Sequence, residues 1–590
     1  MTGNFTRVFD VLRYQAAKYP QAKALNERVG ARWESFSIEW IDAQSMRLAA
    51  WLLSQGLQKG DRVAFIPRGG TVRWVVLDLA CQKAGAIVVP LHPTNTAAEA
   101  AFILNEVEAR WCFTADAELF NTYAMAWPPS RCSGYHLQSG SPGYFQAWDE
   151  FELTPMLEQH VRTRAAEIRE SDEVVILYTS GTSGTPKGTC LTHRNIVANV
   201  QSILPILPLQ AGDRVLSFLP FSHVFERTSC YAYLAFGANV YFNSSRELLA
   251  AAFAEVRPVL CTSVPRTLEK MYDYLEEQSL QKNKLKRWLI RWAMGVGKAY
   301  GTRPMSPWYH WQLFWARFWV LRTWRKALGG KMRYVVVGAA ALRAEISRMF
   351  SAAGVQVLAG YGMTEASPFI SVNRCEPGLN RFGTVGLAIP GVELRIDQPN
   401  ETGEGEILVK GPNVMSGYYK RPELTEEVLR NGWLHTGDTG RIVKKRFLEI
   451  TGRKKELFKT TSGIYISPQV LENHFKTSPF IQQCLVFGFN QPFVGALVVP
   501  QMGVLQNWCI ENQVHWTAAP FMIHNIKVVQ KMQLEIDQLN AQLPGYQCVR
   551  RFILVETEWT VENGEMTTSF KLLREVIMDR YKKEIEKLYA

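Results

Sequence analysis

No stretch of this chain approaches the roughly 18 uninterrupted apolar residues that a membrane-spanning helix needs, so an integral span is not expected. The opening "MTGNFTRVFDVLRYQ" has no apolar core of the kind a signal peptide carries, and the expected location is cytoplasmic. The ten cysteines (81, 112, 132, 190, 230, 261, 375, 484, 509, 548) include no CxxC pair and no dense framework. That pattern argues against a disulfide scaffold or a zinc site and for reduced thiols. Internal repeats and low-complexity tracts are also missing.

One absence is local. Residues 282–331 contain twelve Lys or Arg and no acidic residue, so this window alone equals the net charge of +12 for the whole chain. It also holds seven of the 18 tryptophans: 288, 292, 308, 311, 315, 319 and 324. After Ser306 as a cap and Pro307 at the first helical position, Trp308, Trp311, Trp315 and Trp319 fall on one helical face. Aromatic residues mixed with Lys and Arg suit a helix lying on an anionic membrane surface, at the inner face of the membrane. The alternative is a core-facing helix whose arginines are merely solvated. Nucleic-acid binding is not expected, because no recognisable module accompanies the charge.

What is present reads as a globular chain of 590 residues, 47% apolar and 20% charged, enough for several compact units. Short β-branched runs ending in turn signals alternate with helical patterns. They are "DRVAFIPR" (61–68), "GAIVVPLH" (85–92), "DEVVILYTS" (172–180), "DRVLSFLP" (213–220), "GANVYFN" (237–243), "RPVLCTSVP" (257–265) and "RYVVVGAA" (333–340). Near-continuous apolar strands separated by helices predict an α/β fold of mostly parallel sheets covered by helices. Ligands in such folds collect at the carboxyl ends of strands. From about residue 390 the strands become shorter and more alternating, and residues 444–590 read as a separate small α+β unit. The expected division is 1–443 and 444–590, with a linker near 440–447.

Three loops carry chemistry. "YTSGTSGTPKGT" (178–189) packs Thr179, Ser180, Thr182, Ser183 and Thr185 around Gly181, Gly184 and Gly188, with Lys187 as a mobile positive charge. Glycines let backbone N–H groups approach an anion. It is not the usual P-loop, because Gly188 follows the lysine where that motif needs Ser or Thr. No helix starts at Lys187; the next start is expected at Thr192, so the loop reads as a flexible hydroxyl-lined cover over a triphosphate. "GYGMTEAS" (360–367) offers Tyr361 as a face for a base, Thr364 for a phosphate oxygen and Glu365 for Mg²⁺. "WLHTGDTG" (433–440) puts Asp438 in a tight turn, where it either takes both ribose hydroxyls or caps the turn.

Together these loops resemble the adenylate-forming superfamily of acyl-CoA synthetases, luciferases and peptide-synthetase adenylation domains. "LPFSHVFERT" (219–228), "RPVLCTSVPRTLEKMYD" (257–273) and the insert before "LGGKMRYVVVGAAAL" are most similar to its long-chain fatty acyl-CoA synthetase branch. "TGRKKELFKTTSGIYISPQVLEN" (451–473) resembles the hinge and swivelling segment. The resemblance implies a fatty acid, ATP and CoA as substrates, with Mg²⁺, and a small mobile C-terminal domain. A carrier protein's phosphopantetheine is the alternative acceptor, and a non-catalytic scaffold the rival of another class.

Carried over by the resemblance, Tyr361 stacks on adenine beside Gly362, with Gly338, Ala339 and Ala340 lining the other side. Asp438 and Arg453 hold the ribose. Thr364 and Glu365 serve the α-phosphate and Mg²⁺. Lys187 and the loop 179–185 hold phosphate, and Lys571 is the adenylation lysine. His223 stands at the acyl pocket with Phe225, Lys455 is the hinge residue, and Gly463 lines the CoA path. The sequence departs from the pattern in three places. "GAAAL" replaces Gly-Ala-Pro, "VKKRFLEI" lacks an Asp-x-Gly turn, and Ser569 with "LLRE" flanks Lys571 where a Thr and a more basic run are usual.

Overall fold

Runs such as "VVIL" and "YVVV" have no polar side to turn to solvent, so their strands must be buried on both faces. The computed structural model describes residues 5–124, 132–139, 142–180, 186–245, 247–280, 284–302, 306–461, 465–560, 563–567 and 572–589. For Ser180, 276–280, Lys284 and Tyr465 it describes the backbone alone. The chain forms two compact units. One comprises Met1–Leu394, Val409–Leu434 and Arg446–Leu448; the other comprises Arg395–Leu408, His435–Lys445 and Glu449–Ala590.

In the first unit, among the described residues, nine strands form one sheet. Their order is Leu387–Ala388, Phe369–Val372, Gln356–Gly362, Tyr334–Val337, Leu260–Ser263, Arg214–Ser217, Asn239–Phe242, Leu25–Val29 and Arg32–Phe36. The middle six run parallel, and the edges turn antiparallel. A second sheet orders Gly417–Tyr418, Pro186–Thr192, Glu173–Ser180, Ile87–Pro90, Arg62–Ile66, Trp111–Thr114 and Ser133–His136. It is parallel except at its first two strands. All seven runs read as strands from sequence are strands, and the mostly parallel α/β architecture is the observed one.

Local signals explain the helix starts. Thr192 caps His193–Ile203 by accepting from the Asn195 N–H, and the Asn195 side chain returns the bond to the Thr192 N–H. Ser306 accepts from the Tyr309 N–H and Pro307 occupies the first turn of Pro307–Ala316, as the sequence predicts.

The second unit is α+β. Ile481–Phe487 pairs antiparallel with Val494–Pro500, which pairs parallel with Val549–Leu554. Leu471, Phe475, Val528, Met532 and Ile536 from two helices are buried against this sheet. Within 440–447, where a linker was expected, residues 444–446 form the turn of a hairpin between Trp433–Val443 and Phe447–Arg453. Lys444 and Lys445 take the left-handed backbone there, at φ 50° and 63°, where no glycine is present to signal it. Among the described residues no helix is long and apolar enough to cross a membrane. All ten cysteines are free.

Candidate active site

In the first unit the site is built where parallel strands end. Tyr334–Val337 and Gln356–Gly362 are neighbours with Val337 opposite Ala359, so residues 338–340 and 360–365 emerge side by side. Gly338 lies against Phe225; a Cβ there would sit 3.5 Å from the ring. Ala339 takes φ 71°, a conformation that costs a non-glycine residue about 1 kcal/mol or more, and both Ala339 and Ala340 are exposed. Tyr361 pairs with Ser371 at a bulge, and Gly362 follows. A Cβ on Gly362 would meet the Pro368 carbonyl oxygen at 2.1 Å, so glycine is required for this close approach.

Thr364 and Glu365 open a 3-10 turn, Thr364–Ala366. Two buried asparagines hold that turn by donating to the carbonyls of Ala366 and Phe369. Asn199 does so at 3.3 and 2.7 Å, and Asn413 at 2.9 and 3.1 Å. The Met415 N–H donates to the Glu365 carbonyl at 2.9 Å. Asn195 in turn donates to the carbonyls of Pro412 and Val414. One helix, His193–Ile203, therefore ties both segments to the hairpin that precedes it.

That hairpin joins Glu173–Ser180 to Pro186–Thr192, with Thr179 opposite Lys187 and Ser180 opposite Pro186. Gly181, Thr182, Ser183, Gly184 and Thr185 lie outside the described residues. Gly188 is packed under Tyr178 and Ile176, whose atoms a Cβ would meet at 3.0 and 2.8 Å. Gly417–Tyr418 adds to the hairpin's edge, with Tyr418 opposite Thr189. This places Tyr418 between two of the expected residues. Its hydroxyl donates to Glu365 Oε1 at 2.8 Å, and Lys187 Nζ stands 5.5 Å over its ring. Burial and the adjoining Glu365 carboxylate push the Tyr418 phenol far above its ordinary value, so it stays a donor.

His223 stands directly before the helix Val224–Phe236 and is half-buried, its ring 5.2 Å from that of His92. Phe225 meets Phe369 edge-on at 5.5 Å, which sets it between the end of one strand and the start of another. Behind them, Glu226 is fully buried and accepts from Ser217 Oγ at 2.5 Å and Thr262 Oγ1 at 2.6 Å. Desolvation pushes its carboxyl up to about 7 in spite of those two donors. The next residue, Arg227, pairs with buried Asp78 and donates to Tyr231, which fixes the helix against Val72–Ala84.

In the second unit Asp438 and Arg453 come together, Nε to Oδ1, at 3.3 Å. The sequence reading put Asp438 in a tight turn; it sits instead inside the strand Trp433–Val443. Gly437 takes φ 70° within that strand, and its N–H donates to Glu406 at 3.1 Å. Thr436 Oγ1 accepts from the Asp438 N–H at 3.1 Å. Lys455 is exposed on the 3-10 turn Lys454–Glu456, directly after Arg453. Gly463, Ser569 and Lys571 lie outside the described residues. Described residues on either side of Lys571 make contacts of their own. Met566 bridges Leu572, and Arg574 pairs with buried Glu472 at 2.6 Å. The arginine of "LLRE" is thus a half-buried cation paired with Glu472, which gives that departure from the sequence pattern a structural role.

Sequence reasoning missed Tyr418, Asn199, Asn413, Glu226 and His92. Asn199 and Glu226 lie inside helices, and only folding brings these residues to the site.

The family described as AMP-binding enzyme matches residues 12–419, and the AMP-binding enzyme C-terminal domain matches residues 456–590. The long-chain-fatty-acid–CoA ligase FadD15 of Mycobacterium tuberculosis is 30% identical over 560 residues, 93% of this chain and 91% of that protein. The long-chain-fatty-acid–CoA ligase 1 of Cavia porcellus is 30% identical over 597 residues, 95% of this chain and 84% of that protein. Among solved structures, ATP-bound MatB from Rhodopseudomonas palustris superimposes with a TM-score of 0.73 at 24% identity, covering 98% of this chain and 99% of that one. That last likeness is one of fold.

Proposed function

This chain belongs to the AMP-binding enzyme family, and on that footing we propose that it is an AMP-forming ligase joining a long-chain fatty acid to CoA. The observation that carries the reading is the gathering of Lys187, Tyr418 and Glu365 beside the Tyr361 strand end, in a chain whose 30%-identical relatives bear that activity in their names.

A carboxylate is unreactive towards a thiol because oxide is a poor leaving group. In the first step a fatty carboxylate oxygen attacks the α-phosphorus of ATP, and pyrophosphate departs. In the second the CoA sulfur attacks the acyl carbonyl, loses its proton, and AMP departs. Two anions meet in the first step, so the site must supply fixed positive charge and donors. Lys187, Thr364 and the hydroxyls of 179–185 do so in this reading, with Lys571 bridging the reacting oxygens. Losing one such preorganised group typically costs about 10²–10³ in rate.

Mg²⁺ fits the residues present: one carboxylate, Glu365, next to a hydroxyl, Thr364, is the sparse donor set Mg²⁺ uses when substrate phosphates complete its shell. When bound it would neutralise phosphate charge as a Lewis acid. Tyr418 holds the Oε1 of Glu365, the carboxylate that would hold the metal.

Tyr361, with Gly338, Ala339 and Ala340, takes adenine, and Asp438 with Arg453 takes the ribose. Phe225 and His223 border the acyl pocket. His223 shapes that pocket and is not needed as a base in the first step, because no proton needs removing from a carboxylate. For CoA to reach the adenylate, Lys571 must withdraw, so the segment 444–590 is read as a small domain swivelling at Lys455, with Gly463 lining the thiol's path. A free fatty acid partitions into bilayers, which favours a cytoplasmic enzyme in peripheral contact with the inner face of an anionic membrane.

The test follows pyrophosphate and thioester together, with purified protein, ATP, Mg²⁺ and acids of increasing chain length. Long chains should give CoA thioester in step with pyrophosphate. Pyrophosphate without CoA thioester, but with acyl transfer to a carrier protein, would replace the acceptor and leave the adenylation intact.

A further inference from the structure

The helices after residue 283 have a core side and an aromatic side. Leu313, Ala316, Val320, Leu321 and Trp324 are buried in the core of the first unit. The opposite side carries Trp308, Trp311, Phe314, Phe318 and Trp319, which are 64%, 53%, 61%, 46% and 54% exposed. These rings form a continuous row. Trp308 stacks on Trp311 at 4.8 Å, Trp311 meets Trp315 at 6.3 Å, and Trp315 meets Phe318 at 6.0 Å and Trp319 at 6.5 Å. The row begins in Pro307–Ala316 and continues through a π-helical stretch, Arg317–Leu321. On the adjoining helix Lys284–Lys298, Leu285 and Trp288 are also exposed.

Cations accompany the row. The Arg322 guanidinium lies 5.2 Å from the Phe318 ring centroid, and Lys286, Arg291, Arg322 and Lys326 are exposed. Lys298 is paired with Glu345 at 2.7 Å. No acidic residue occurs anywhere in 282–331.

We propose that this aromatic row with its flanking cations is a docking surface for an anionic lipid bilayer. A solvent-facing helix has no reason to present five large rings, since each exposed apolar surface is left unburied. An interfacial helix does: its rings enter the headgroup boundary, tryptophan N–H groups stay in reach of polar partners, and long cationic side chains meet lipid phosphates. Charge complementarity selects the occupant. A neutral apolar partner would leave the cations unmatched, and an acidic protein would leave the ring row uncovered. The surface stands on this geometry alone. Only its purpose, taking up fatty acid where it partitions, rests on the ligase reading.

The test mixes the full chain with vesicles of phosphatidylcholine, with and without one-third phosphatidylglycerol. Binding is read by co-sedimentation and tryptophan emission. The protein should bind the anionic vesicles with a blue shift, and 1 M salt should release much of it. Arg322→Glu with Lys326→Glu should weaken partitioning by at least about 5-fold per cation. Trp308→Ser with Trp311→Ser and Trp319→Ser should abolish the blue shift. Equal binding by these variants, or indifference of the wild type to anionic lipid, overturns the proposal. So does retention by an acidic carrier protein through the same residues without vesicle binding. Thioester formation from albumin-delivered fatty acid, unchanged in the variants, reads the reaction separately; its failure in wild type would count against the ligase and not the surface.

Discussion

The Tyr418 hydroxyl donates to Glu365 Oε1 at 2.8 Å, joining a strand at the edge of one sheet to the loop that leaves the other. Glu365 is the one carboxylate of its loop, and the bond holds its Oε1. Tyr418→Phe keeps the ring under Lys187 and removes only that donor. A hydrogen bond to a charged group contributes about 1.5–3 kcal/mol, so adenylation should slow at least about 10-fold, with a weaker response to Mg²⁺. Thermal unfolding should change little. Steady-state rates across a Mg²⁺ titration check this, as does nucleotide binding by calorimetry with and without the metal. A Tyr418→Phe protein with unchanged Mg²⁺ dependence would reduce the tyrosine to packing.

Gly362 lets the chain pass within contact of the Pro368 carbonyl. Gly362→Ala forces that approach open, and it should cost about 2–4 kcal/mol by denaturant unfolding, within the range of strain and overpacking effects. Since Tyr361 directly precedes it, the KM for ATP should rise as well. Ala339→Gly tests the converse, relieving a left-handed alanine and adding up to about 1 kcal/mol.

Asp438 and Arg453 form a pair at 3.3 Å whose carboxylate is the ribose contact in this account. Asp438→Ala should raise the KM for ATP by about 10-fold or more, with the KM for fatty acid unmoved. Initial-rate kinetics in each substrate separate these outcomes.

Glu226 makes stability depend on pH. Its carboxyl is raised from an ordinary 4.5 to about 7 by burial, so the folded state holds the proton more tightly than the unfolded chain does. Its contribution is complete below about pH 4.5 and is lost as pH rises through about 7. At 1.36 kcal/mol per ten-fold, that loss is roughly 3 kcal/mol. Between pH 5 and 8 the denaturant midpoint of wild type should fall relative to that of Glu226→Gln, since every other group acts in both proteins. His193, lowered to about 3 chiefly by burial, acts oppositely, losing its contribution as pH falls below about 6.5.

Much of the fold was legible because its strands are buried on both faces and therefore read as unbroken apolar runs. The capped helix starts at Thr192 and Ser306 follow from local chemistry and occur as expected. Three things were not legible. Asp438 looked like a turn residue because Thr-Gly-Asp is turn chemistry, yet Gly437 absorbs the left-handed geometry inside a strand. Lys444 and Lys445 turn a hairpin without glycine or asparagine, so the segment read as a linker. The site's supports are long-range: Asn199 and Asn413 reach the loop at 364–369 from positions 165 or more residues before it and 44 or more after it. Nothing in the local pattern of "NVMSGYY" reports that Tyr418 will meet Glu365.

The most direct measurement is the fatty-acid-dependent exchange of labelled pyrophosphate into ATP, without CoA, in wild type and Lys571→Ala. Exchange that requires a long-chain acid, disappears in Lys571→Ala, and gives way to CoA thioester when CoA is added is the predicted result. No exchange with acids of any chain length, or exchange untouched by loss of Lys571, would contradict the account.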